Sequence, residues 1–98
     1  MATLIIHEQD IVNAICLYMS HEKDVEPDEV IVELFYDDEG DIEYGAEVTI
    51  EKKMEEITTP KLISALRLWL NLYTDIDGIA AGLKLHFDEN DGVYASAW

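Results

Sequence analysis

The fifteen residues from Thr59 to Tyr73 read Thr-Pro-Lys-Leu-Ile-Ser-Ala-Leu-Arg-Leu-Trp-Leu-Asn-Leu-Tyr, and they constrain the fold more than any other stretch. Thr59 can cap a helix and Pro60 suits its first position, where the missing N–H costs nothing. At about 100° per residue, Leu62, Leu66, Trp69, Leu70 and Tyr73 share one face. Ala65, Leu68 and Leu72 widen that face past a half-cylinder, leaving Ser64, Arg67 and Asn71 as a narrow polar strip. Such a helix must be covered on more than one side, and Leu68 and Leu72, outside the main stripe, suggest a second copy as part of the cover.

The rest of the chain supplies elements to pack against it. Glu8-Gln9-Asp10 opens an earlier helix with acids near its N-terminus, where the dipole favours them. Ile11, Val12, Ile15, Tyr18 and Met19 line one side of it, and it should end around His21–Lys23, before a loop over 24–28. Val30, Val32, Leu34 and Tyr36 then alternate with Ile31, Glu33, Phe35 and Asp37. After the turn Asp37-Asp38-Glu39-Gly40-Asp41, Ile42, Tyr44, Ala46, Val48 and Ile50 alternate with Glu43, Gly45, Glu47, Thr49 and Glu51. Two period-two runs joined by a short acidic turn predict an antiparallel hairpin. Its even-numbered face should meet the helices, and its odd-numbered face carries the glutamates. Beyond the Thr59–Tyr73 helix, Asp75-Ile76-Asp77-Gly78 breaks the pattern. Leu83, Leu85 and Phe87 begin a second hairpin, which turns at 88–92 and returns from Val93 to Trp98. The order α-β-β-α-β-β predicts an α+β fold, with two helices packed on one face of an antiparallel four-stranded sheet. Ninety-eight residues make one domain, 1–98, with room for a single core.

Charge limits the choice of partner. Six Lys and Arg stand against 22 Asp and Glu, a net charge of −16, and residues 21–60 hold 15 of the acids with three lysines. That surface repels phosphate backbones and anionic headgroups, which argues against direct nucleic-acid or membrane binding. It attracts a basic protein or a cation, although an acidic surface also serves solubility alone. Cys16 is the single cysteine, flanked by Ile15 and Leu17, so no internal disulfide or four-cysteine zinc site is available. Leu4-Ile5-Ile6 is too short for a signal h-region and no apolar run reaches membrane-spanning length, so a cytoplasmic location is expected.

Several segments together resemble a known family. They are Glu8 to Cys16, the run Val32-Glu33-Leu34-Phe35-Tyr36-Asp37, the strand Gly45-Ala46-Glu47-Val48 and the closing Asp91-Gly92-Val93-Tyr94-Ala95. They look like the YxcD-like family of small acidic proteins of unknown function from Bacillus-type bacteria. The resemblance covers nearly the whole chain and implies a bacterial, cytoplasmic protein. It implies no activity and no functional residues.

An EF-hand needs oxygen ligands at positions 1, 3 and 5 with Gly at 6. Setting Gly92, Gly40 or Gly78 at position 6 puts Phe87, Phe35 or Tyr73 at position 1, and all three fail. Looser cation binding would draw on Asp37, Asp38 and Asp41, or on Asp88 and Asp91, though hairpin turns also favour Asp for backbone reasons. His7, His21 and His86 lack zinc-protease spacing, no Ser sits in a Gly-x-Ser-x-Gly elbow, and no phosphate loop appears. No catalytic residue, metal ligand or cofactor site is therefore assigned. What remains is the odd-numbered hairpin face, where Ile31 and Phe35 sit among Glu33, Glu43 and Glu47. Apolar anchors ringed by one sign of charge suit a basic partner, so a non-catalytic binding or regulatory protein and a homodimer are the leading expectations. A cation-binding domain and an enzyme without a visible motif are the alternatives.

Overall fold

In the computed structural model, which describes residues 3–36 and 44–98, two helices form where the apolar periodicity puts them. α1 spans Glu8–Lys23 and α2 spans Thr59–Tyr73. α1 buries Ile11, Ala14, Ile15 and Met19, and α2 buries Leu62, Ala65, Leu66 and Leu70. The cap of α2 lies one residue earlier than the sequence suggests. Thr58 is the extended cap residue, and its carbonyl accepts the Leu62 N–H at 3.0 Å. Thr59, already helical, instead donates its hydroxyl to the Tyr44 carbonyl at 2.7 Å and ties the helix start to the neighbouring strand. α1 ends where expected, because Asp24 turns left-handed (φ 56°, ψ 49°) and returns its N–H to the Ser20 carbonyl.

Six strands surround the helices: β1 Leu4–Ile6, β2 Ile31–Tyr36, β3 Tyr44–Ile50, β4 Lys53–Ile57, β5 Leu83–Asp88 and β6 Gly92–Ala97. The overall class is α+β, but the expected single four-stranded sheet is not what forms. The strands make two antiparallel three-stranded sheets, ordered β2-β3-β4 and β1-β6-β5. Each hairpin gains a third strand, β4 directly after β3 and β1 from the start of the chain. β4 fills the second edge of β3, and β1 fills the second edge of β6, so neither central strand has an edge left for the other hairpin. The sheets meet through side chains instead, with the rings of Tyr36 and Phe87 stacked at 4.7 Å.

Both added strands are hard to read in sequence for physical reasons. β1 has three residues, too few to show a period. β4 reads Lys-Met-Glu-Glu-Ile, and its alternation is masked by charge. It is entered through a two-residue turn, Glu51-Lys52, between the paired Ile50 and Lys53. Both turn residues have positive φ, 51° and 68°, as a type I′ hairpin turn requires, yet neither is Gly or Asn. Glu51 is thus a turn residue and not a member of the hairpin face.

The core is continuous. Val30 just before β2, Ala46, Val48 and Ile57 of the first sheet, and Ile6, Leu85, Val93, Ala95 and Ala97 of the second, join the helical residues within it. Even-numbered residues of β2 and β3 do face inward, as expected. The far end of the second hairpin is tied to α1, because Glu8 Oε2 accepts the Val93 N–H at 3.2 Å. Gly92 makes that approach possible: its φ is +74°, and a β-carbon there would meet the Glu8 carboxylate.

The polar strip of α2 holds the segment that follows the helix. Arg67 donates from Nη1 to the carbonyls of Gly78 at 2.7 Å and Ala81 at 2.8 Å. Asn71 Oδ1 accepts the Gly78 N–H at 2.7 Å. Two predictions come from these contacts. Replacing Glu51-Lys52 by Asn-Gly should raise stability by about 1–2 kcal/mol, seen as a higher urea midpoint at unchanged m-value. Arg67→Ala should lower it by about 1.5–3 kcal/mol, because two charge-assisted bonds to loop carbonyls are lost.

Candidate functional site

The strand register decides what the first sheet presents on its outer side. β2 and β3 pair Ile31 with Thr49, Glu33 with Glu47, and Phe35 with Gly45. β3 and β4 pair Thr49 with Met54 and Glu47 with Glu56. Side chains alternate faces along each strand, so these residues form rows across the outer surface. One row is Ile31–Thr49–Met54, and the next is Glu33–Glu47–Glu56. Ile31 is 67% exposed and Met54 68%, large values for apolar side chains within a sheet. Phe35 lies back over Gly45, with its ring where a β-carbon on that glycine would stand, and is half-buried.

The glutamate row is electrostatically unbalanced. Directly opposed side chains in an antiparallel pair have β-carbons about 4.5–5.5 Å apart, and like charges there repel. Glu33, Glu47 and Glu56 are all exposed, and none has a salt bridge or hydrogen bond to a described residue. Glu55, one position away on β4, points to the other face and is paired. Its carboxylate meets Lys23 at 3.6 Å and Lys61 at 3.5 Å, and Lys61 also meets Glu22 at 3.4 Å. Burial works against the charge on Lys61, but Glu22 and then Glu55 outweigh it and raise its pKa above the ordinary lysine value.

Of the expected partner face, Ile31, Glu33, Phe35 and Glu47 lie together on this surface, while Glu43 lies outside the described residues. Met54 and Glu56 were not expected there. Their signal was the two-residue spacing between the run ending at Ile50 and the run Lys53–Ile57, with no turn-type residue to mark it. Among the candidate cation residues, Asp37, Asp38 and Asp41 also lie outside the described residues. Asp88 is occupied within its own turn, its Oδ1 accepting the N–H groups of Asn90 at 2.7 Å and Asp91 at 3.3 Å. Asp91 is exposed beside it. No group of three or more His, Cys, Asp or Glu converges on a metal-sized space among the described residues.

The remaining reactive side chains are structurally engaged or dispersed. Cross-strand pairing sets His86 against Tyr94, with rings stacked at 4.8 Å, and its Nε2 lies 2.9 Å from the Ser96 hydroxyl. Cys16 donates to the Val30 carbonyl at 3.6 Å, and burial pushes its thiol pKa up, which keeps it protonated. On α2, Leu68 is half-buried and Leu72 is 54% exposed. Leu72 and Tyr73, the latter 66% exposed, are thus the residues of the apolar face of α2 that stand most open. No helix of the described residues is long and apolar enough to cross a membrane.

These features can be set beside known proteins. A family model described as a protein of unknown function, DUF2653, matches residues 1–90. The uncharacterized protein YxcD of Bacillus subtilis is 30% identical over 93 residues, spanning 94% of this chain and 89% of the relative. No solved structure matches the chain significantly. The resemblance carried by the helix and strand segments thus extends along nearly the whole sequence, and the chain belongs to the DUF2653 family.

Proposed function

We propose that this chain is a non-catalytic binding protein whose β2-β3-β4 face engages a basic protein. One observation carries the reading: Glu33, Glu47 and Glu56 stand opposite one another without a cation from the described residues, bordered by the exposed Ile31 and Met54. Stability alone favours alternating or neutral residues at such cross-strand positions. A partner that set Lys or Arg over the row would relieve the repulsion and bury the two apolar anchors in the same step. The net charge of −16 would speed that encounter and make it salt-dependent. The lone, unpaired cysteine suits the reducing cytoplasm, where we place the encounter.

The reading separates stability from binding. Glu47→Gln removes the central charge and both opposed repulsions, so it should stabilise the isolated protein by about 0.5–1 kcal/mol, measured by urea unfolding. Immobilised protein should retain a basic protein from a bacterial lysate and release it as salt rises. Reversing Glu33, Glu47 and Glu56 together to Lys should abolish that retention, whereas Glu89→Lys, in the turn between β5 and β6, should leave it intact. Equal retention by the triple variant and the parent would sink the proposal for this face.

A further inference from the structure

A second site lies away from the sheet, in a groove of about 510 Å³ between α1, α2 and the 3-10 turn Pro27–Glu29. Its apolar walls come from Leu17 on α1, Pro27 on the turn, and Trp69 and Tyr73 on α2, with the protonated Cys16 thiol among them. The volume falls within the range of about 300–1,000 Å³ occupied by small-molecule sites. Trp69 and Tyr73 are four residues apart on α2, and their rings stand 6.2 Å apart at 38°. Tyr73 is 66% exposed, whereas Trp69 is half-buried and packs against the core. The charged side chain on the groove is Asp10, in the first turn of α1, and its carboxylate makes no hydrogen bond or ion pair with a described residue.

We propose that this groove binds a small organic ammonium ion, with Asp10 neutralising its charge and Trp69 and Tyr73 supplying cation–π contact. The chemistry of the lining selects this class. The negative faces of aromatic rings attract cations, most strongly those that are weakly hydrated. An anion would meet Asp10 and the field of a chain carrying −16. A bare metal ion would find one carboxylate where it needs several oxygen ligands. A neutral apolar molecule would gain nothing from the carboxylate beside it. An alkylammonium satisfies both parts of the lining, its methyl or methylene groups on Leu17 and Pro27 and its charge between Asp10 and the rings. This site is independent of the glutamate row, and neither proposal depends on the other.

The test follows Trp69 fluorescence in a Trp98→Phe background, where Trp69 is the sole tryptophan. Tetramethylammonium chloride is titrated at constant ionic strength, with tert-butanol as a neutral control of similar shape. The fluorescence change should saturate with tetramethylammonium and not with tert-butanol. Asp10→Asn and Tyr73→Leu change groups at least partly open to solvent, so both should fold, checked by circular dichroism. Each should weaken binding roughly fivefold to thirtyfold. A parallel titration with Nα-acetyl-lysine amide tests the source of the charge: tighter binding of tetramethylammonium supports a free ammonium ion, and tighter binding of the lysine amide overturns it in favour of a protein side chain. Three other results would also overturn the proposal. These are no saturation with either cation, equal affinity in Asp10→Asn, or a signal that follows protein concentration instead of ammonium, which would mean that a second copy occupies the groove.

Discussion

Burial of α2 is the constraint on which the other contacts depend. Its three innermost leucines, Leu62, Leu66 and Leu70, are fully buried, each contributing about 1.5–3 kcal/mol relative to exposure. α1 covers one flank and the β2-β3-β4 sheet another, with Thr59 joining the helix start to the Tyr44 carbonyl. The strip that looks like the solvent side of α2 is also engaged. Arg67 and Asn71 bind the backbone of the segment after the helix, so that segment lies along α2 with its polar groups satisfied. One helix thereby organises both the apolar core and the path of the chain into the second hairpin.

The two sheets follow from how each hairpin completes itself. A third strand paired to β3, and another paired to β6, satisfies the central strand on both edges. Joining the hairpins by backbone bonds would require an outer strand of each to align along its length. The contact between Tyr36 and Phe87 brings the sheets together without that register. This arrangement leaves the outer side of β2-β3-β4 open, and it makes the order of charges across three strands a property of one surface.

Glu55 and Glu56 show how placement changes the meaning of the same side chain. Glu55 faces the helices and receives Lys23 and Lys61, so it joins β4 to α1 and α2. Glu56 faces outward, opposite Glu47, and adds to a repulsion that no cation among the described residues relieves. Asp10 poses the same question on the groove between the helices, as a carboxylate beside aromatic rings without a cation from the described residues. In a chain this short of lysine and arginine, an acid becomes structural when the fold brings it one of the few cations, as for Glu55, or a backbone N–H, as for Glu8 and Asp88.

The sequence by itself determined both helices, the strands of both hairpins, the inward even-numbered face of β2 and β3, and the outward position of Ile31, Glu33 and Glu47. These depend on residue periodicity and on turn chemistry within a few positions, which local order makes visible. Only the tertiary structure decided that the strands divide into two sheets, that β1 and β4 complete them, and that Glu56 and Met54 extend the outer face. It alone brought Asp10 to the same groove as Trp69 and Tyr73, some sixty residues away. A three-residue strand has no period to detect, a charged edge strand hides its alternation, and a turn of Glu51-Lys52 carries none of the usual turn residues. Pairing partners and groove walls are chosen by which buried surfaces fit together, and that choice is made between distant segments.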